Sequence, residues 1–149
     1  LKKQEQRMKF VLNIDPRPQS RARFTRFGKP YEVAEMKLWR NQCKFLIANQ
    51  YIGQPMLEGA LRARVRFFIE PPQYISNRKK NRQGLLDETI PVGKKPDIDN
   101  YEKSLYDSMS GVVFKDDGQI AMHDVGKFYS LKPRIEVEIE EINKQEIQK

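Results

Sequence analysis

Strict alternation of apolar and charged residues at two places limits what this chain can become. Leu61, Ala63, Val65 and Phe67 interleave with Arg62, Arg64 and Arg66. A period of two is that of a strand buried on one face only. Near the C-terminus Ile135, Val137, Ile139 and Glu141 interleave with Arg134, Glu136, Glu138 and Glu140. Residues 58–70 and 133–142 are therefore predicted strands. Residues 10–14 predict a first strand, ended by Asp15-Pro16-Arg17-Pro18, and residues 119–128 another. The last two strands are expected to form a hairpin through 129–132.

Helical periodicity fills the intervals. Over 32–50, Met36, Trp39, Cys43, Leu46, Ile47 and Gln50 follow the i, i+3/i+4 rhythm. Trp39 and Cys43 lie in that stripe and read as core residues. A second helix is expected to begin near Ile98, with Asp97 at its N-cap, and to stop at Ser110-Gly111. At about 100° per residue, Ile98, Tyr101, Leu105 and Met109 share one side, while Asp99, Lys103, Tyr106 and Asp107 share the other. Val112-Val113-Phe114 then packs back on the core. The expectation is an α/β (α+β) chain forming one compact domain over 1–149. It has a mixed sheet of about four strands and two main helices, in the order β-α-β-α-β-β, with frayed tails at 1–7 and 143–149.

Composition narrows the chemistry. The 149 residues include one cysteine and one histidine, and no CxxC. An internal disulfide is ruled out, a reducing cytoplasm fits, and zinc is disfavoured. Any bound metal would be held by oxygen, which points to Mg²⁺ or Mn²⁺, and no small-molecule cofactor motif is present. No apolar run approaches the ~18–20 residues that span a bilayer, so no membrane role is expected. A net charge of +8 and a pI near 9.6 favour polyanions.

The positive charge is concentrated. Arg17, Arg21, Arg23, Arg26 and Lys29 occur without an acid and with Phe24 and Phe27 between them. This is either a solvated hairpin or an arm that contacts phosphates and stacks on a base. Arg62, Arg64 and Arg66 line one strand face, again solvated or in contact with phosphate. The 73–94 segment is expected to be a basic mobile loop, with a short helix around 77–86. It brings Arg78, Lys79, Lys80 and Lys94 to Lys95.

Those cations lead into the acids. Lys95-Pro96-Asp97-Ile98-Asp99-Asn100-Tyr101-Glu102-Lys103 opens the second helix, and Lys115-Asp116-Asp117-Gly118-Gln119 follows it. Asp99 and Lys103, four apart, are placed to pair on one face. Read as ordinary structure, Asp97 is a cap and Asp99–Lys103 a surface ion pair. Read as a site, clustered aspartates in a positive field hold a divalent cation over a phosphodiester. His123 has no nucleophile pattern around it and reads as structural.

The run Asp97-Ile98-Asp99-Asn100, with Lys103 and Asp107, followed by Gly111-Val112-Val113-Phe114-Lys115-Asp116-Asp117-Gly118-Gln119-Ile120, resembles the RusA family of Holliday junction resolvases. These are small endodeoxyribonucleases of bacteria, phages and prophages. The resemblance implies a Mg²⁺-dependent homodimer that cuts four-way junctions in DNA recombination and repair. It implies that Asp97, Asp99 and Asp117 bind metal, with Asp116 as an additional candidate, and that Lys103 is needed for cleavage. Arg21, Arg23, Arg78, Lys79, Lys80, Lys94 and Lys95 are then the candidate DNA contacts, and Lys127 is loosely matched to a basic family position. Two other readings compete: a basic nucleic-acid-binding module without catalysis, and a less selective nuclease of branched or flap DNA.

Overall fold

The computed structural model describes residues 7–20 and 23–142. Arg21, and the tails expected to fray at 1–6 and 143–149, lie outside the described residues. Arg7, placed with the N-terminal tail from sequence, instead opens the first strand.

Four strands form one mixed sheet: β1 (Arg7–Leu12), β4 (Leu61–Ile69), β5 (Ile120–Tyr129) and β6 (Arg134–Glu141), in the spatial order β1-β6-β4-β5. Two-residue strands β2 (Arg23–Phe24) and β3 (Pro30–Tyr31) make a separate hairpin. The long helices are α1 (Ala34–Gln50) and α4 (Ile98–Met109); α2 (Gln73–Ser76) and α3 (Arg82–Asp87) are short. The mixed sheet, single domain and element order are as expected.

The expected hairpin of the last two strands does not form. β4 lies between them, parallel to β5 and antiparallel to β6. Two features of the side chains account for this. Ile135, Val137 and Ile139 of β6 are almost completely buried, which suits an inner strand, whereas β5 is mostly exposed along its first half and suits the sheet edge. The polar face adds a register: Arg62, Arg64 and Arg66 stand opposite Glu140, Glu138 and Glu136. Opposite charges facing each other across neighbouring strands are stabilising.

The core lies between the sheet and the two long helices. Leu61, Ala63, Val65 and Phe67 meet Met36, Cys43 and Ile47 of α1 and Tyr101, Leu105 and Met109 of α4. Trp39 belongs to the same core, its indole N–H donating to the Asp15 carbonyl at 2.7 Å. Burial pushes the Cys43 thiol up to about 11, so it is an inert apolar group. Burying each large side chain here contributes roughly 1.5–3 kcal/mol.

The 73–94 segment is more ordered than a loop. It contains α2, a 3-10 turn at Lys79–Asn81, and α3, and then pairs with β5 through Val92 N–H to Lys127 O and Tyr129 N–H to Ile90 O. Leu85, Val92 and Tyr129 give it a small core of its own. The Arg134 guanidinium grips both oxygens of Glu88, at 2.6 and 2.9 Å, and stacks over the Phe68 ring. A cluster of cations written beside few acids reads as mobile; its apolar and ion-pair anchors are distant in sequence.

Candidate nuclease site along the seam between α4 and β5

The start of α4 follows from local chemistry. Asp97 takes extended backbone angles at the N-cap, and Asn100 N–H donates to its carbonyl. Its carboxylate makes no cap hydrogen bond, although capping is the ordinary use of an aspartate at this position. Asp97 and Asp99 are both exposed. Together with Lys94, Lys95 and Lys127 they line an open groove of about 760 Å³ between the helix start and Gly126–Phe128 of β5. Lys127 supports its floor, donating to the carbonyls of Lys94 at 2.5 Å and Pro96 at 2.6 Å. The turn that delivers Asp97 is thereby tied to the sheet edge.

One helical turn further on, Lys103 departs from expectation. Its ammonium pairs with Asp107 at 3.0 Å and Asp117 at 3.5 Å, not with Asp99. The hydrogen bond to Asp107, with the charge of both aspartates, holds the amine above its usual value. Lys103 is thus the link between α4 and the second acidic run.

That run reaches α4 because 112–114 folds back. Val113 and Phe114 are fully buried, and Leu57 N–H donates to Val113 O at 2.7 Å. The two adjacent aspartates then separate in role. Asp116 caps the 3-10 turn Asp117–Gln119: its carboxylate accepts from the Gln119 backbone, and the Gln119 side chain accepts from the Asp116 N–H. Gly118 leaves room beside it: a Cβ there would meet Asp116 Oδ2 at 2.8 Å and push that carboxylate aside. Asp117 is left to face Lys103. As a ligand, Asp116 is therefore the weaker candidate of the pair.

The flank of α4 facing the start of β5 holds groups that periodicity alone does not bring together. Tyr106, expected on the charged side, is buried. Its hydroxyl donates to Glu102 Oε2 at 3.0 Å, and His123 Nδ1 lies 2.7 Å from the same oxygen. Burial, then the Glu102 charge, push the Tyr106 phenol far above its ordinary value, so it remains a donor. Tyr106, Asp117 and His123 line a pocket of about 230 Å³ with 120–122. Glu102 and Tyr106 stand four apart, the spacing that brings side chains together on one helix face. That spacing was the available signal.

The basic elements fall around this seam. Gln19 N–H donates to Asn100 O at 2.8 Å and Ser104 Oγ to Arg17 O at 2.5 Å, so the N-terminal arm runs along the start of α4. The β2–β3 hairpin follows, turning at Gly28 with φ of +78° and exposing Arg23, Phe24 and Phe27. Arg78, Lys79 and Lys80 are exposed and have no acidic partner among the described residues. Lys94 donates to the Tyr74 hydroxyl and lies over its ring, and Lys95 is exposed. Arg62, Arg64 and Arg66 lie elsewhere, on the open sheet face, paired to Glu140 and Asp124.

The donor set suits a hard cation. Asp97, Asp99 and Asp117 offer only oxygen, the choice of Mg²⁺, which keeps several waters and takes one or two carboxylates directly. Among the described residues, no three His, Cys, Asp or Glu side chains stand close enough to enclose a metal. The carboxylates flank the seam without forming a closed cage.

Comparison with known proteins identifies the family. The chain is 34% identical over 143 residues to "Uncharacterized protein YqaN" of Bacillus subtilis (strain 168), covering 91% of this chain and 97% of that relative. Residues 13–140 match the family described as Endodeoxyribonuclease RusA. That match covers most of the described fold, and the chain belongs to the RusA endodeoxyribonuclease family.

Proposed function

We propose that this protein is a Mg²⁺-dependent endodeoxyribonuclease that resolves four-way DNA junctions during recombination and repair, acting as a homodimer in the cytoplasm. The observation that carries the reading is the state of Asp97. It occupies a cap position without capping, leaving its carboxylate in a groove walled by lysines.

Asp97, Asp99 and Asp117 are the residues that would hold Mg²⁺, with Mn²⁺ as a substitute. When bound, the ion supplies polarisation of the phosphodiester and acidification of a water. The chain's own groups do the rest. Lys103 places a fixed ammonium beside Asp117, where it can stabilise charge growing on the phosphate or the leaving oxygen. Lys127 holds the turn that presents Asp97. Arg23, Arg78, Lys79, Lys80, Lys94 and Lys95 contact backbone phosphates, and these contacts fix register without reading sequence. Arg21 joins them by its place in the basic arm. Two copies related by a two-fold axis match the near symmetry of a junction and allow paired cuts.

The test is cleavage of matched junction, flap and linear duplex substrates in Mg²⁺ and in Mn²⁺. Preferential, paired cutting of the junction is expected. Equal cutting of flap and junction would make it a general branched-DNA nuclease, and binding without cutting would make it a DNA-binding module.

A further inference from the structure

Resting on the nuclease reading, we propose that His123 is a further catalytic residue: its imidazole, aligned by the buried Glu102 carboxylate, accepts the proton of the attacking water in the pocket beside Asp117.

Glu102 lies in the middle of α4 and is 8% exposed. A carboxylate this buried needs partners, and it has two: the Tyr106 hydroxyl at 3.0 Å and His123 Nδ1 at 2.7 Å, both on Oε2. A carboxylate oxygen only accepts, so Nδ1 is the donor in this contact, and in the neutral ring that tautomer puts the lone pair on Nε2. Tyr106 braces the carboxylate from the other side. The imidazole itself is 57% exposed, on the edge strand β5, and borders the pocket that Asp117 also lines. A base in solvent, oriented by a group that is not, is the arrangement of a general base with its orienting residue.

A purely structural pin between α4 and β5 would need only a donor to Glu102, with no lone pair on the solvent side. The two roles therefore separate by chemistry. In the proposed step the water proton passes to Nε2 and the water oxygen bonds to phosphorus. The bond from phosphorus to the leaving sugar oxygen breaks, and that oxygen keeps the electron pair. The imidazolium then returns its proton to the leaving oxygen or to solvent, giving a phosphomonoester and a free hydroxyl.

The experiment is single-turnover cleavage of a synthetic four-way junction in Mg²⁺ by wild type, His123→Ala and His123→Gln, with junction affinity and Tm measured in parallel. Gln keeps a donor toward Glu102 and supplies no basic nitrogen. Both variants are expected to cut roughly 10²-fold more slowly with affinity nearly unchanged. Added imidazole should restore roughly tenfold of the lost rate to His123→Ala and leave wild type unaffected. Wild-type speed in His123→Gln, or no rescue of His123→Ala, overturns the role of His123 while leaving the nuclease reading in place. A wild-type protein that binds the junction and never cuts it overturns both.

Discussion

The open face of the sheet and the seam between α4 and β5 are built from the same residue types and use them in opposite ways. On the open face the arginines are satisfied by acids: Arg7 by Glu138, Arg62 by Glu140, Arg64 and Arg66 by Asp124, Arg134 by Glu88 and Glu136. Along the seam Asp97 does not cap, Asp99 does not pair with Lys103, and Lys103 turns to Asp117. Charge on the first surface is consumed by folding. On the second only Lys103, Asp107 and Asp117 pair, and Asp97 and Asp99 stay exposed in the groove, which is the basis of the proposed metal site. A run of alternating arginines therefore says little about binding until the strand beside it is known.

The largest effect should come from removing a seam carboxylate. Asp97→Asn, Asp99→Asn and Asp117→Asn are each expected to abolish measurable junction cleavage while preserving or tightening binding, because repulsion from phosphate falls. Asp124→Asn, on the open face, should cut at close to the wild-type rate. If Asp124→Asn were as inactive as Asp97→Asn, the contrast between the two surfaces would be broken.

A smaller loss is expected for Lys103→Ala. Removing one preorganised donor in such a site typically costs about 10²–10³ in rate; junction affinity should fall far less. Equal losses of rate and affinity would make Lys103 a simple phosphate contact.

The third test concerns the unpaired cations. Replacing Arg78, Lys79 and Lys80 with alanine should flatten the dependence of log K on log salt by up to about 0.9 for each phosphate that is no longer neutralised. The same change at Arg64 and Arg66 should leave the slope intact. An unchanged slope in the first variant would remove this segment from the interface.

The smallest effect concerns stability. The hydrogen bonds from Arg134 hold the Glu88 carboxyl below its ordinary range. A depressed carboxyl contributes stability that is complete above its unfolded value and is lost as pH falls through the folded value. Thermal denaturation of Glu88→Gln should therefore show a lower Tm at neutral pH, by roughly 1–2 kcal/mol of stability after allowing for solvent screening. The gap should close on acidification. A gap that persisted in acid would mean that packing, not charge, anchors the 73–94 segment.

Much of this architecture is legible locally. The buried face of β4, the core stripe of α1 and the limits of α4 follow from periodicity and cap chemistry that neighbouring residues determine. What was not legible depends on partners far along the chain. The insertion of β4 between β5 and β6 goes with the Arg–Glu register across β4 and β6 and with the exposure of the first half of β5. Tyr106 reads as exposed at 100° per residue because a helical wheel cannot show which flank a later strand will cover. The resemblance favours Asp117 over Asp116, but local sequence does not say why; the fold of the turn gives Asp116 to capping and leaves Asp117 to Lys103.

The central claim is that acids from the start of α4 and from the turn before β5 serve one divalent cation. Residue-resolved NMR line broadening during Mn²⁺ titration tests it directly. Amide signals around Asp97–Asp99 and around Asp117 should broaden together, at the same Mn²⁺ concentrations, and both should be lost in Asp97→Asn. Broadening confined to one of these regions, or centred on Asp124 of the open face, would contradict the account.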